Sequence, residues 1–311
     1  MEGKKYSIVI PVYNSEKSLR ELSDRIDKVF KQNEWKYEVI FVNDLSKDNS
    51  LEILKEICRE NQNFKYISLR KNFGQHNAIM AGFNYVTGDY IITMDDDLQN
   101  PPEEIPKLIH EIHKTNHDII FAEFEEKKHS FYRRLGSKLV KWLNEKVVGK
   151  PRNLVLSNFR IIKREIVEEV IKYRTNTPYL PALLLMVTHD CGNVLTRHEE
   201  RLYGKSNYTL RRILKLIVAL LFTRSNYALK LAVRVGLFFS IICLLYSGYI
   251  VIRSLTVGTQ VAGWASTMFM ISFFSSMNLS ILALIGEYLI RLSSMAFGDR
   301  PFIVKETQNI E

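Results

Sequence analysis

Asp89-Tyr90-Ile91-Ile92-Thr93-Met94-Asp95-Asp96-Asp97-Leu98-Gln99-Asn100-Pro101-Pro102 is the most informative stretch of this chain. Tyr90 to Met94 reads as a buried strand, and Asp95, Asp96 and Asp97 follow at its end. Carboxylates at the end of a parallel strand face the crevice in which an open α/β sheet binds its ligand. Hard divalent cations such as Mg²⁺ or Mn²⁺ take oxygen ligands and commonly bridge a few carboxylates to a diphosphate. An Asp-x-Asp at this position therefore suits a metal–diphosphate complex, although an acidic turn capping the next helix has the same local pattern.

Upstream, the chain alternates strand and helix. Strands are expected at Ser7–Val12, Tyr37–Val42, Phe64–Leu69 and Tyr90–Met94, and helices at Glu16–Gln32, Ser50–Asn61 and Asn77–Val86. This alternation predicts a mostly parallel sheet with crossover helices. The first strand runs into Pro11-Val12-Tyr13-Asn14-Ser15-Glu16 and not into G-x-G-x-x-G, which weakens a dehydrogenase reading.

The chain has 311 residues, 46% apolar and 25% charged, enough for a full core in one or two domains. Apolar content is unevenly spread: Val235–Ile252 and Ser254–Gly286 carry no charged residue. Two membrane spans are expected near Leu231–Ile252 and Trp264–Gly286, joined by the turn Thr256–Gly263. Arg224, Lys230 and Arg234 precede the first span and Arg291, Arg300 and Lys305 follow the second, with Arg253 between them. Basic residues near span ends stay in the cytoplasm, so both termini are expected there. The resulting organisation is a catalytic domain over 1–207, a juxtamembrane amphipathic helix over 208–228, a two-helix hairpin over 229–290 and a cytoplasmic tail over 291–311. The amphipathic part is Tyr208-Thr209-Leu210-Arg211-Arg212-Ile213-Leu214-Lys215-Leu216-Ile217-Val218-Ala219-Leu220-Leu221, expected to lie at the lipid headgroups.

The net charge of +9 fits membrane lipids better than nucleic acid, for which no motif is present. Cys58, Cys191 and Cys243 are too widely spaced for a disulfide framework or a zinc site, and a reducing compartment fits. His110, His113 and His117 lie towards the end of a helix rich in Lys and Glu and are expected on a solvated face. No secretory pattern precedes the first strand.

Six blocks, taken in order, resemble the inverting family-2 glycosyltransferases of GT-A fold, and within them the polyprenyl-phosphate glycosyltransferases. They are Ile8-Val9-Ile10-Pro11-Val12-Tyr13-Asn14; Val42-Asn43-Asp44; Asn72-Phe73-Gly74-Gln75 with Ala81-Gly82-Phe83; Asp95 to Pro102; Arg197-His198-Glu199-Glu200-Arg201 with Gly204-Lys205-Ser206-Asn207-Tyr208; and Ile285-Gly286-Glu287-Tyr288-Leu289 with Arg300-Pro301. The resemblance implies a GT-A α/β fold followed by an amphipathic helix and two transmembrane helices. It further implies an inner-membrane enzyme that moves one sugar from a nucleotide-diphosphate sugar to undecaprenyl or another polyprenyl phosphate, for cell-envelope glycan modification. A homo-oligomer, by resemblance a tetramer, is implied as well.

By the same resemblance, Pro11, Tyr13, Asp44, Lys71 and Asp96 hold the donor, and Asp95, Asp97 and Gln99 hold Mg²⁺ or Mn²⁺ and the diphosphate. An acceptor phosphate monoester, with a second pKa near ~6, is already largely ionised at neutral pH and needs a cationic cradle more than a base. Arg133, Arg160 and Arg201 are the candidates for that cradle, and with Asp97 they make up the catalytic set. Two departures stand out. Ser157-Asn158 occupies the place where many relatives carry an Asp before Phe-Arg, leaving Glu123 or Glu125 as alternative bases, and Leu45 stands where Gly is usual. A processive polysaccharide synthase is disfavoured by the lack of Gln-x-x-Arg-Trp and by too few spans. A non-catalytic scaffold is disfavoured by intact Asp95, Asp97 and Gln99.

Overall fold

The computed structural model describes residues 3–124, 151, 153–173, 178–199, 263, part of the helical stretch 267–292, and 302–310. It divides into two compact units, Met1–Thr223 with Asp299–Glu311, and Arg224–Gly298. In the first unit β1 (Lys5–Val12), β2 (Lys36–Asn43), β3 (Phe64–Leu69) and β4 (Tyr90–Thr93) alternate with α1 (Leu19–Gln32), α2 (Ser50–Glu60) and α3 (Gln75–Phe83). A short turn of 3-10 helix (Pro102–Glu104), α4 (Ile105–Thr115), β5 (Ile119–Phe124), β6 (Arg160–Lys163), β7 (Cys191–Thr196) and β8 (Val304–Gln308) complete it, with helices Arg164–Val170 and Leu180–Val187 between β6 and β7.

The sheet order is β7-β5-β6-β4-β1-β2-β3-β8. Strands β1 to β4 pair in parallel, β5 pairs in parallel with β7, and only β6 and β8 run against their neighbours. A mostly parallel α/β sheet is thus what the alternation predicted. Parallel strands buried on both faces need continuous apolar runs. Ile8-Val9-Ile10 and Val39-Ile40-Phe41-Val42 supply them, all buried, and divide between a cluster on each sheet face. Helix α3 lies so close to the sheet that a Cβ on Gly82 would meet Val9 Cγ1 at 2.5 Å, a physical reason for a glycine in Ala81-Gly82-Phe83.

Three details depart from expectation. Helix α1 starts at Leu19 and not at Glu16, because Ser15 to Ser18 form a turn whose Ser18 hydroxyl donates to the Asp96 carbonyl at 2.6 Å. His113 is half-buried, with Nε2 3.0 Å from the Tyr6 hydroxyl and its ring against Tyr90, so the histidine face of α4 is not simply solvated. The segment read as a C-terminal tail contributes β8, antiparallel to β3.

One carboxylate breaks the apolar run of β2. Glu38 is buried and accepts from Ser7 Oγ at 2.5 Å, Thr87 N at 2.7 Å and Thr87 Oγ1 at 2.9 Å, with Lys65 Nζ at 3.0 Å. Burial pushes its pKa up, but the bonds from Ser7, Thr87 and Lys65 more than offset this and bring it down to about 2. A depressed folded-state pKa means that the stabilisation is complete above the unfolded value of about 4.3 and is lost as pH falls towards 2. Glu38→Ala should cost about 3 kcal/mol or more, because it strands buried donors, and should flatten the fall in Tm between about pH 5 and pH 2. Thermal unfolding across that pH range tests both; a variant as acid-sensitive as wild type would contradict this account.

In the second unit the described residues between 267 and 292 are helical, and Ile271, Leu282, Ile285, Leu289 and Leu292 among them are exposed. No helix among the described residues is long and apolar enough to cross a membrane. The amphipathic helix, the span near Leu231–Ile252 and much of the span near Trp264–Gly286 lie outside the described residues.

Candidate active site

Strand order reverses between β1 and β4, since β1 continues through β2 to β3 on one side and meets β4 on the other. Such a switch point opens a crevice beyond the carboxyl ends of the strands. The carboxyl end of β1 leads to Tyr13, Asn14 and Ser15, and that of β4 to Asp95, Asp96 and Asp97. Asp96 bridges the two, accepting from the Tyr13 N–H at 3.2 Å and from the Ser15 hydroxyl. Its middle position in the acidic run thus ties the β4 loop to the β1 loop. Burial raises its pKa to about 6, with the Ser15 and Tyr13 bonds opposing.

Asp95 and Gln99 line a cavity of about 350 Å³, within the range of roughly 300–1,000 Å³ usual for small-molecule sites. Gln75 and His76, from the start of α3, line it on one side. Phe124 at the end of β5, His198 just past β7, and Asn100 line another part, and Leu156 to Phe159, Tyr179 and Pro181 complete the wall. Asp95 accepts from Gln75 Nε2 at 2.5 Å. Its pKa is pushed up to about 7, first by burial and then by Asp97 and Asp96, while the Asn158 amide and the Arg160 charge hold it lower. The Ser157-Asn158 departure now has a physical reading. An amide beside Asp95 donates a hydrogen bond, where a further carboxylate would add repulsion.

Arg160 is the largest fully buried side chain among the described residues. Its Nε donates to Thr93 Oγ1 at 3.0 Å, its guanidinium carbon lies 5.9 Å from the Phe121 ring centre, and among the described residues neither terminal nitrogen has a hydrogen-bond partner. Burial lowers its pKa to about 10, opposed by Asp95 and Tyr179. Arg160 therefore sits behind the cavity wall, acting on the site through its charge. The same cation, after burial, helps push His76 down to about 4, so that imidazole is neutral near pH 7.

Asp44 is buried, and its two oxygens accept the N–H groups of Phe73 and Gly74 at 2.7 Å each. Burial raises its pKa, with those two bonds opposing. Its carboxylate thus shapes the loop that leads into α3, where Gly74 has φ +89°. Pro11 is buried beside it on β1, Tyr13 is 46% exposed, and Lys71 stands in solvent with Nζ 4.8 Å from the Phe73 ring centre. Leu45 adopts φ +57°, a left-handed conformation that explains why glycine would be usual there. Glu123 is half-buried on β5 and is not among the residues that line the cavity. Arg133, Arg201 and Glu125 lie outside the described residues.

The acidic run fits a hard divalent cation. Asp95 and Asp97 offer oxygens at electrostatic range of one another, while the Asp96 carboxylate is engaged with Ser15 and Tyr13. Asp97 Oδ1 accepts the Gln99 N–H at 3.1 Å, which folds the loop back on itself and directs the Gln99 side chain into the cavity wall. Among the described residues no three acidic, histidine or cysteine side chains converge as a complete cage. Mg²⁺ is commonly held by one or two carboxylates with substrate phosphates and waters completing the shell, so two carboxylates beside an open cavity suffice.

Residues 7–180 match the family model described as glycosyl transferase family 2. The undecaprenyl-phosphate 4-deoxy-4-formamido-L-arabinose transferase of Yersinia pestis (strain Pestoides F) is 35% identical over 292 residues, 93% of this chain and 89% of that protein. The protein of the same name from Yersinia pseudotuberculosis serotype O:3 (strain YPIII) matches equally. Among solved structures, glucosyl-3-phosphoglycerate synthase from Mycobacterium tuberculosis with Mn²⁺, UDP and glucosyl-3-phosphoglycerate superposes with a TM-score of 0.54 at 15% identity, covering 71% of this chain and 80% of that one. The same enzyme with Mg²⁺ and UDP gives 0.54 at 16% identity, covering 71% and 79%. At such identity the structures speak to fold alone, and the fold is of the GT-A type.

Proposed function

Because the chain belongs to glycosyl transferase family 2, we propose that it transfers one sugar, with inversion, from a nucleotide-diphosphate sugar to undecaprenyl phosphate or a similar polyprenyl phosphate at the cytoplasmic membrane face. The observation that carries this reading is the pairing of Asp95 and Asp97 at the end of β4 with a cavity that Asp95 itself lines. The two similar Yersinia proteins, named as undecaprenyl-phosphate sugar transferases, support the choice of acceptor.

The nucleoside lies against Tyr13 and the loop shaped by Asp44, and the sugar enters the cavity beyond Asp95. Asp95 and Asp97 would hold Mg²⁺ or Mn²⁺, which would supply positive charge to neutralise the leaving diphosphate. One oxygen of the ionised acceptor phosphate forms the new bond to the anomeric carbon as the bond to the diphosphate breaks. The buried Arg160 charge favours anions on this side of the cavity, and Arg133 and Arg201 align the acceptor phosphate. No side chain has to remove a proton, since the monoester is already dianionic above about pH 6.

Membrane attachment through residues 208–290 is part of the proposal. Strand β8 supports a paired crossing: residues 304–308 share a sheet with residues 5–12, so any crossing in between has to occur an even number of times.

Mass spectrometry of prenyl-phosphate products formed by the full-length protein from a panel of nucleotide sugars tests the reading. A glycosyl prenyl phosphate is the expected product; no product from any donor would refute it. The pH dependence of kcat/KM for the acceptor should follow phosphate ionisation near ~6. Glu123→Gln should leave turnover within about twofold, because Glu123 does not line the cavity. Abolished turnover with binding intact would restore a carboxylate base.

A further inference from the structure

His198 is held at the cavity by contacts on both sides of it in sequence. Before it, Arg197 donates to Glu104 from its backbone N–H at 3.3 Å and from Nε at 2.8 Å. After it, the Glu199 N–H donates to the Gln99 carbonyl at 3.0 Å. Both partners belong to the loop that begins with the acidic run. Glu104 is completely buried and also pairs with Lys107 Nζ at 2.5 Å, and Arg25 ties Glu103 to Glu199 at 2.7 and 3.7 Å. These contacts hold the path of residues 197–199, and the imidazole lies against the Phe124 ring at a centroid distance of 4.5 Å.

The cavity is the part of the crevice farther from the nucleoside. Tyr13, Asp44 and Lys71 do not line it, whereas Asp95 and Gln99 do. A donor whose diphosphate lies at Asp95 and Asp97 therefore projects its sugar into the space that His198 and Phe124 face. An imidazole offers one donor and one acceptor, matched to hydroxyl or amide groups on a sugar, and an adjacent phenyl ring suits the apolar face of a pyranose.

Resting on the reading of the site given above, we propose that His198 is a specificity-determining residue that contacts the sugar of the donor, and that Glu104 is a positioning residue that places it through Arg197. A polar group built to meet a substrate hydroxyl discriminates more strongly than an apolar contact, because the wrong sugar leaves that group unpaired.

The experiment uses the full-length protein and the donor that wild type turns over best from the nucleotide-sugar panel, together with the matching nucleoside diphosphate. His198→Ala is expected to raise KM for that donor about tenfold and to narrow the preference among donors, with Kd for the nucleoside diphosphate and KM for prenyl phosphate unchanged. Arg197→Met, at a side chain 76% exposed, is expected to fold and to move the same two quantities in the same direction, with Arg197→Lys between it and wild type. Glu104→Gln should match Arg197→Met. Unchanged donor KM and preference in His198→Ala would overturn the contact, and a uniform fall in all parameters would overturn it equally. A normal donor preference in both Arg197→Met and Glu104→Gln would overturn the positioning role. If wild type itself transfers no sugar from any donor, the reading of the site fails first and this inference with it; if wild type transfers and only these variants disagree, the inference alone fails.

Discussion

Asp97→Asn is expected to lower turnover by roughly 10²–10³-fold while leaving Tm within a degree or two, and chelation of divalent metal should abolish wild-type activity. The physical reason is local. Burial first, and then the neighbouring Asp97 and Asp96 charges, raise the Asp95 pKa to about 7, an arrangement that bound Mg²⁺ or Mn²⁺ would relieve. An Asn at 97 keeps the shape of the loop and an oxygen acceptor for the Gln99 N–H, but it removes one of the two charges facing the cation. Turnover retained by Asp97→Asn, or by wild type in EDTA, would refute the metal assignment. A reading based on an acidic helix cap makes the opposite prediction, a loss of stability with no specific loss of turnover.

Arg160→Met is expected to separate activity from stability. The guanidinium is fully buried, and among the described residues both terminal nitrogens lack partners, so its desolvation is only partly repaid. Replacing such a charge with an apolar side chain of similar volume is commonly neutral or stabilising by about 1–4 kcal/mol. Turnover should nevertheless fall about 100-fold, since the cation facing Asp95 and the incoming anions is lost. Arg160→Lys should recover part of it, because a point charge on a flexible stem reproduces the field without the planar fork. Measuring Tm and kcat together tests this: a variant both active and stable would deny Arg160 any electrostatic role, and a collapsed Tm would show it to be a structural residue.

Much of the fold was legible locally. The strands at β1 to β3 fall within two residues of their expected positions, because parallel strands covered on both faces demand unbroken apolar runs and the intervening helices show an amphipathic period. Strands β6 and β8 were not legible. Arg160–Lys163 is four residues long and polar at both ends, and Val304–Gln308 alternates half-buried and exposed positions along one sheet edge, so neither carries the signature of a core strand. What makes each a strand is its partner, β4 or β3, far away in sequence.

The acidic run could be singled out from residue type and position alone, because charge at a strand end is a local pattern, whereas Asp44 and Tyr13 were singled out only by the resemblance of their blocks. Their partners could not. Gln75, His76, Asn158, Tyr179 and His198 come from four separate segments, and although Gln75, Asn158 and His198 stand in or beside quoted blocks, nothing local shows that the five line one cavity. For His76 and Tyr179 the signal was absent altogether. For His198 it lay in the Arg197-His198-Glu199 block, whose neighbours offered no means of telling which of its polar side chains faces inward.

By itself, then, the sequence determined the parallel α/β core and the placing of three carboxylates at the end of its fourth strand, since apolar periodicity and charge position are properties of neighbouring residues. Only the tertiary structure decided that Arg160 lies buried behind the cavity wall, that Asp44 spends its oxygens on the Phe73 and Gly74 amides, and that the chain closes its sheet with residues 304–308. Each of these depends on which distant segment removes water from a polar group. That is settled by packing across the sheet and not by any stretch of chain read alone.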